Sequence, residues 1–309
     1  MLLKKNIPIS YVFGRIKVEM AFLTAYSIAV YVSHTYYNFP GVSIPLAVLG
    51  ILGTIISLLL AFRSNQAYDR WWEARTLWGA IVNDSRSFAR QVIAFIDKTY
   101  DGEDKRVMKE RIIKRQIAWS YSLSRFLRGQ NAHRDLTKYI SDEEATQMLD
   151  VEHVPLALIE RQADDLRLLL HMGWINEYQQ VSMDEMLTRF SNSMGACERI
   201  KNTVFPVTYS FYIHLLVMLF VMLLPFALIE SFGIFQIPLV VAISSSFFLI
   251  EKMAIHLQDP FENKPTDTPT TAISQTIERN LNQLLCVESA NEPTKPIATI
   301  TETAVFYVL

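Results

Sequence analysis

From Ile44 to Arg75 the chain reads IPLAVLGILGTIISLLLAFRSNQAYDRWWEAR. The part from Ile44 to Phe62 carries no charge and is apolar all round. A hydrocarbon core needs about 20 helical residues, so this run is a membrane span. No breaker follows it: from Leu58 to Arg75 the sequence passes from apolar to charged without Pro or Gly. One helix should therefore leave the bilayer and continue into water. The same continuity is expected at Lys201 to Val204 and at Lys252 to Leu257.

Three further runs have similar character. They are about Met20 to Tyr36 (MAFLTAYSIAVYVSHTY), Val204 to Ile229 (VFPVTYSFYIHLLVMLFVMLLPFALI) and Gly233 to Ile250 (GIFQIPLVVAISSSFFLI). Each weaker run sits one short turn from a stronger one, so HTYYNFPGVS and ESFG read as hairpin loops. Composition agrees with a membrane protein. Of 309 residues, 50% are hydrophobic and 19% charged, against about 25% charged in soluble domains. Mean hydropathy is +0.18.

Lys and Arg set the orientation. Neither hairpin loop contains one, whereas the N-terminus, the central segment and the C-terminus hold them all. Both termini and the middle of the chain are expected in the cytoplasm, in a multi-pass protein of the cell's inner (plasma) membrane. The basic start (Lys4, Lys5, Arg15, Lys17) leads into a span with no small-residue cleavage pattern, so a cleaved signal peptide is not expected. Tyr31, Tyr36, Tyr37 and Phe39 fit an aromatic belt at the outer interface. Cys197 and Cys286 would face a reducing compartment, where a disulfide is not expected.

Between about Arg63 and Thr203 the periodicity is helical. Ile81, Phe88, Val92 and Phe95 recur at three-to-four spacing, as do Ile112, Ile113, Ile117, Tyr121 and Leu123 to Leu127. Ser141 with Glu144 reads as a capping box opening a helix. Further helices are expected over Pro155 to Met172 and Ser182 to Asn202. The fold class that follows is an all-α membrane protein. Its four transmembrane helices, about 20–36, 44–62, 204–229 and 233–250, are continuous with a helical cytoplasmic bundle over about 63–203 and 251–285. Residues 1–285 are expected to form one integrated domain, with a tail over 286–309 that either wraps a neighbouring subunit or is disordered.

The sequence offers no enzyme constellation. The six histidines lie apart without HExxH or Cys/His ligand spacing, and no GxSxG or Walker sequence is present. No metal or cofactor is expected. Lys+Arg at 29 against Asp+Glu at 31 gives a net charge of -2, so no basic field would hold a nucleic acid. Glu19, Glu73 and Glu251 near membrane boundaries read as salt-bridge carboxylates. His214, inside the third span, is either functional or a neutral imidazole bonded to a neighbouring helix.

A lone bundle of four helices fills its centre with side chains, so a conducting path would need several subunits around an axis. Five helices at about 9–10 Å spacing place their axes roughly 8 Å from that centre. Subtracting about 5 Å for a helix with its side chains leaves an opening of about 3 Å radius, suited to a small ion. Thr54, Leu58 and Phe62 fall at i, i+4 and i+8 on one stripe of the second span. Repeated around an axis they become rings, and apolar rings gate by dewetting. On periodicity alone the stripe could equally pack against another helix.

The run Phe62 to Arg75 resembles the signature following the second membrane helix of the bestrophin family in its prokaryotic form. Gly195-Ala-Cys-Glu-Arg-Ile-Lys-Asn-Thr203 is similar to a second family block, and Asp259-Pro-Phe261 to a third. The motif residues are Arg63, Asn65, Tyr68, Arg70, Trp71, Trp72, Glu73, Arg75, Cys197, Glu198, Arg199, Asp259, Pro260 and Phe261, all with structural roles. The resemblance implies a homopentameric channel that passively conducts small monovalent ions through an axial pore. Its partners would be further copies of itself, the lipid bilayer and the ion.

The resemblance places the neck on Thr54, Leu58 and Phe62, with Thr54 replacing the usual apolar residue. It places a second, cytosolic constriction on Leu187. Animal members are calcium-activated chloride channels. Here Glu262 and Asp267 with an intervening Lys264 are a poor calcium clasp, and the Trp-Arg-Gly-Ser stretch near the family N-terminus is replaced by Gly14-Arg-Ile-Lys. Calcium gating is therefore not expected. Prokaryotic members resemble one another in favouring monovalent cations, but apolar rings do not set the sign of the ion. The alternative is a membrane-anchored scaffold or sensor that conducts nothing.

Overall fold

The computed structural model describes residues 13–37, 44–96, 102–203 and 205–285. Among them every regular element is helical. The chain divides into two compact units. Of the described residues, 13–37, 44–71 and 205–259 make one, and 72–96, 102–203 and 260–285 the other.

In the first unit, α1 spans Lys17–Tyr37, α7 Val207–Phe232 and α8 Gln236–Leu257. They pack with the first half of α2, which runs unbroken over Leu46–Phe95. Among the described residues two helical stretches have the length and composition to cross a bilayer, Leu46–Phe95 and Val207–Leu257. The second contains both later apolar runs, joined by a 3-10 turn at Gly233–Phe235. Gly233 makes that turn possible by adopting φ 54°, a value that L side chains rarely take. Glu230 and Ser231, expected in the loop, belong to α7.

The core of this unit is Leu23, Leu49, Ile56, Leu60, Val217, Phe220, Val221, Leu224, Val240 and Phe248, among others. Water does not drive helices together in lipid, so close packing of small residues must. Gly53 supplies it here, since a Cβ there would come within 3.2 Å of the Phe220 ring. Phe220 in turn meets Phe247 edge-on at 5.1 Å between centroids. Phe22, Ile28, Val48, Ile51, Ile55, Phe211, Leu215 and Leu219 stay exposed, the apolar exterior that a membrane or a neighbouring subunit covers.

The second unit is a helical bundle around α3 (Glu103–Leu127), against which α5 (Val154–His171), α6 (Glu177–Asn202) and α9 (Thr270–Leu284) pack. The short α4 spans Asp142–Gln147. Ile112, Ile113, Ile117, Trp119, Leu123 and Leu127 from α3 share one core with Trp78, Ile81, Phe88 and Val92 from the second half of α2. Phe190 joins them, edge-on to Phe88 and tilted against Trp119 at 5.1 Å. Some polar groups inside are paired, whereas the Trp78 and Trp119 Nε1 groups have no hydrogen-bond partner among the described residues. The Gln116 amide donates to Ser85 Oγ at 3.0 Å, and the Gln162 amide to the Ile112 carbonyl at 2.9 Å.

Several boundaries differ from expectation. Ser141 caps α4 by accepting the Glu144 N–H at 3.2 Å, but the Glu144 carboxylate does not return to Ser141. It binds Arg115 instead. A reciprocal capping box occurs at Asn176 with Gln179, so α6 begins at Glu177 rather than Ser182. The chain is also not helical throughout Lys201 to Val204. Helix α6 ends at Asn202, and Thr203 is extended. Pro206, which has no N–H and restrains its predecessor, stands as N-cap of α7. The expected helix over Pro155 to Met172 is α5, whose first turn is capped by the His153 ring through the Leu156 N–H at 3.2 Å. Helix α8 runs to Leu257 as expected. Phe39, Cys286 and the tail lie outside the described residues.

Candidate functional site

Two faces of α2 define the candidate site. In the first unit Leu49, Ile56, Leu60, Arg63 and Ala67 are buried, a stripe at three-to-four spacing turned into the unit's own core. The opposite face holds Thr54, Leu58 and Phe62. Leu58 is 57% and Phe62 55% exposed. The Thr54 hydroxyl donates back to the Gly50 carbonyl at 2.8 Å, so its proton is committed to the helix.

One residue beyond Phe62 the chemistry changes. Arg63 is 1% exposed. Its Nη2 donates to Ser210 Oγ at 3.0 Å, and its Nη1 lies 3.8 Å from Glu251 Oε1. Glu251, itself buried, also has His214 Nδ1 at 3.1 and 3.2 Å from its two oxygens. These are hydrogen bonds in the tautomer or charge state that carries a proton on Nδ1. Of the two readings of His214, the partner on a neighbouring helix is present. Two turns further along α2, Arg70 Nε donates to the Gln258 carbonyl at 2.8 Å, and Nη2 sits 3.8 Å from Asp259. Lys252 pairs with Glu19 at 3.3 Å. The charges at this level of the first unit thus tie α1, α2, α7 and α8 together.

The remaining motif residues fall into both units. Asn65 Nδ2 approaches Asp69 at 3.5 Å. Tyr68 and Trp71 have ring centroids 6.0 Å apart, and Tyr68 is about half-exposed. In the second unit Trp72 is likewise half-exposed and Arg75 partly buried. Glu73 accepts a short hydrogen bond from Arg199. Glu198 bonds His153 Nε2 at 2.8 Å. Cys197 is fully buried, and that burial, with Glu198 and Glu73 nearby, pushes its thiol up to about 12. Pro260 accepts the Thr268 N–H at 3.2 Å, and Phe261 is buried in the bundle core. All three carboxylates expected in salt bridges have them: Glu19 with Lys252, Glu73 with Arg199, Glu251 with Arg63.

Leu187 is corrected. It is 3% exposed in the bundle core and so cannot face an axis outside its own chain. The resemblance that points to Leu187 carries no information on which side of α6 it occupies. The aliphatic residue exposed on that helix is Val181, at 68%.

Around the segment expected to be a poor clasp, Glu262 binds Lys201 Nζ at 2.7 Å and lies 3.9 Å from Lys264. The hydrogen bond to Lys201 holds its carboxyl below the usual range. Asp267 is buried, which raises its carboxyl. Its Oδ2 accepts the Lys264 N–H at 3.0 Å. No group of three or more His, Cys, Asp or Glu among the described residues is placed to hold a metal.

A chain whose described elements are all helical and whose first unit carries an apolar exterior has the character of a membrane protein. The chain belongs to the bestrophin family in its bacterial and fungal branch, whose pattern it matches over residues 6–283. It is 33% identical over 239 residues to the voltage-dependent anion channel-forming protein alr2987 of Nostoc sp., covering 76% of this chain and 77% of that one. It is 33% identical over 259 residues to the voltage-dependent anion channel-forming protein YneE of Salmonella typhi, covering 84% and 83%. The crystal structure of a bacterial bestrophin homologue from Klebsiella pneumoniae matches with a TM-score of 0.83 at 28% identity, over 89% of this chain and 100% of that one. The all-α membrane fold read from the sequence is the fold of this family.

Proposed function

We propose that this protein is an ion channel of the inner membrane. Five copies surround an axis, α2 of each lines the path, and Thr54, Leu58 and Phe62 form the neck. The observation that carries the reading is the double-faced α2. Leu49, Ile56 and Leu60 are buried against the subunit's own helices, while Leu58 and Phe62 are more than half exposed in the single chain. Apolar side chains displayed on the face opposite the core are accounted for when like faces converge. Around five helices they leave an opening of about 3 Å radius, narrow enough for wetting of the leucyl and phenylalanyl rings to control passage. The relatives' names support ion conduction.

The permeant species are small monovalent ions, moved passively. Both termini and the second unit lie in the cytoplasm, as the Lys and Arg distribution supports. Arg63, Arg70, Glu251 and Asp259 hold α2 to α7 and α8 just past the neck and fix the direction in which Phe62 points. Purified protein reconstituted in planar bilayers should give unitary currents, and its mass in detergent should be five times that of the chain. Protein of that mass that stays silent, both as wild type and with Phe62→Ala, would favour the scaffold.

A further inference from the structure

The neck rings carry no formal charge, so charges that face the path beside them are the stronger source of ion preference. Between Phe62 and Trp71 the ionisable side chains apart from Tyr68 are Arg63, Asp69 and Arg70. The two arginines are turned into their own subunit. The Arg63 side chain is 2% exposed beside Glu251, and that of Arg70 is 18% exposed, bonded to the Gln258 carbonyl and near Asp259. Asp69 is exposed. Its carboxylate meets only the Asn65 amide, at 3.5 Å, and no cationic group among the described residues pairs with it.

Asp69 also lies on the right face. At 100° per residue, it is about 20° from Phe62 after two turns and about 20° from Leu58 after three. The rise of 1.5 Å per residue puts it about 10 Å past Phe62 on the cytoplasmic side. We propose that Asp69 determines ion selectivity: five Asp69 carboxylates ring the path just inside the neck, concentrate small monovalent cations there and exclude anions. This rests on the pore reading above and adds to it the residue that sets the sign. Convergent carboxylates over a narrow opening raise the local cation concentration, and acidic rings are a recurrent cation filter. Glu73, the next carboxylate along α2, is bonded by Arg199 and adds little.

The test is the reversal potential of the full-length channel in planar bilayers under a tenfold KCl gradient. Wild type should reverse on the potassium side. Asp69→Asn should lower the potassium-to-chloride permeability ratio about tenfold, and Asp69→Lys should favour chloride, as expected for several charges within a Debye length of the path. Raising the salt to 1 M, where that length shrinks from about 10 Å to 3 Å, should weaken the wild-type preference. If those variants do not assemble, Asp69→Cys treated with anionic or cationic methanethiosulfonates reads the same charge. The anionic reagent should restore cation preference and the cationic one reverse it. A wild type reversing on the chloride side, an unchanged ratio in Asp69→Asn, or equal ratios after the two reagents would overturn the assignment. Raised conductance in Phe62→Ala alongside an unchanged Asp69→Asn ratio would sink Asp69 alone. Unchanged conductance in Phe62→Ala would sink the pore, and Asp69 with it.

Discussion

Two buried arginines, one in each unit, are held very differently. Arg115 in the bundle is 3% exposed. It donates to both Glu144 oxygens at 2.5 and 2.9 Å, to Asp165 at 2.5 Å and to Gln162 at 3.3 Å. Burial works against its charge, yet the bonds to Glu144 and Asp165 outweigh burial and raise its pKa. Arg63 in the membrane unit is as buried, but its Nε and Nη1 make no hydrogen bond among the described residues, and its carboxylate stands 3.8 Å away. The first arrangement fixes a structure. The second holds one while leaving it only partly satisfied, next to the side chain proposed to close the pore. Glu251 is shared with His214, so the hold on Arg63 has a competitor.

Removing one partner of a buried, fully bonded ion pair costs about 3–5 kcal/mol. Arg115→Met, which strands Glu144 and leaves Asp165 with Arg111 alone, should therefore give the largest loss of thermal stability in detergent, with little assembled protein recovered. Arg63→Gln should cost less, about 1–3 kcal/mol, because Glu251 keeps His214. That variant should assemble and show altered conductance. Equal stability losses in the two variants would erase the contrast. A smaller effect is expected at the Asn176 cap, where Asn176→Ala should cost about 1 kcal/mol and leave conduction unchanged. Smallest of all is Cys197: with its thiol pushed up to about 12, it stays protonated and buried. In a Cys286→Ser background, maleimide at pH 8 should label it only after unfolding, and prompt labelling of that native channel would contradict the burial.

The contrast also explains which parts were legible in the sequence. Local patterns were: the apolar runs, the unbroken passage of α2 past Phe62, and the helix period of Ile112, Ile113 and Ile117. So was the pairing of Glu19, Glu73 and Glu251, because isolated carboxylates at membrane boundaries have few other stable states. Partners far apart in sequence were not. Glu144 satisfies a capping pattern locally, yet Arg115, 29 residues away, takes its carboxylate. The start of α6 was hidden because Asn176 and Gln179 cap it among polar residues with no apolar period. Leu187 failed for the opposite reason. Its assignment follows from the family resemblance, which carries no information about the face of α6 on which it sits. The direction of Asp69 was equally invisible until Arg63 and Arg70 were seen turned away from it.

The proposed pore depends on the outward face of α2 being the wall of an ion path. Single-channel conductance of Phe62→Ala beside wild type, with Glu103→Gln as a solvent-facing control, tests that most directly. Phe62→Ala should raise the unitary conductance severalfold while Glu103→Gln matches wild type. A Phe62→Ala channel that assembles normally and conducts as wild type does would contradict the neck.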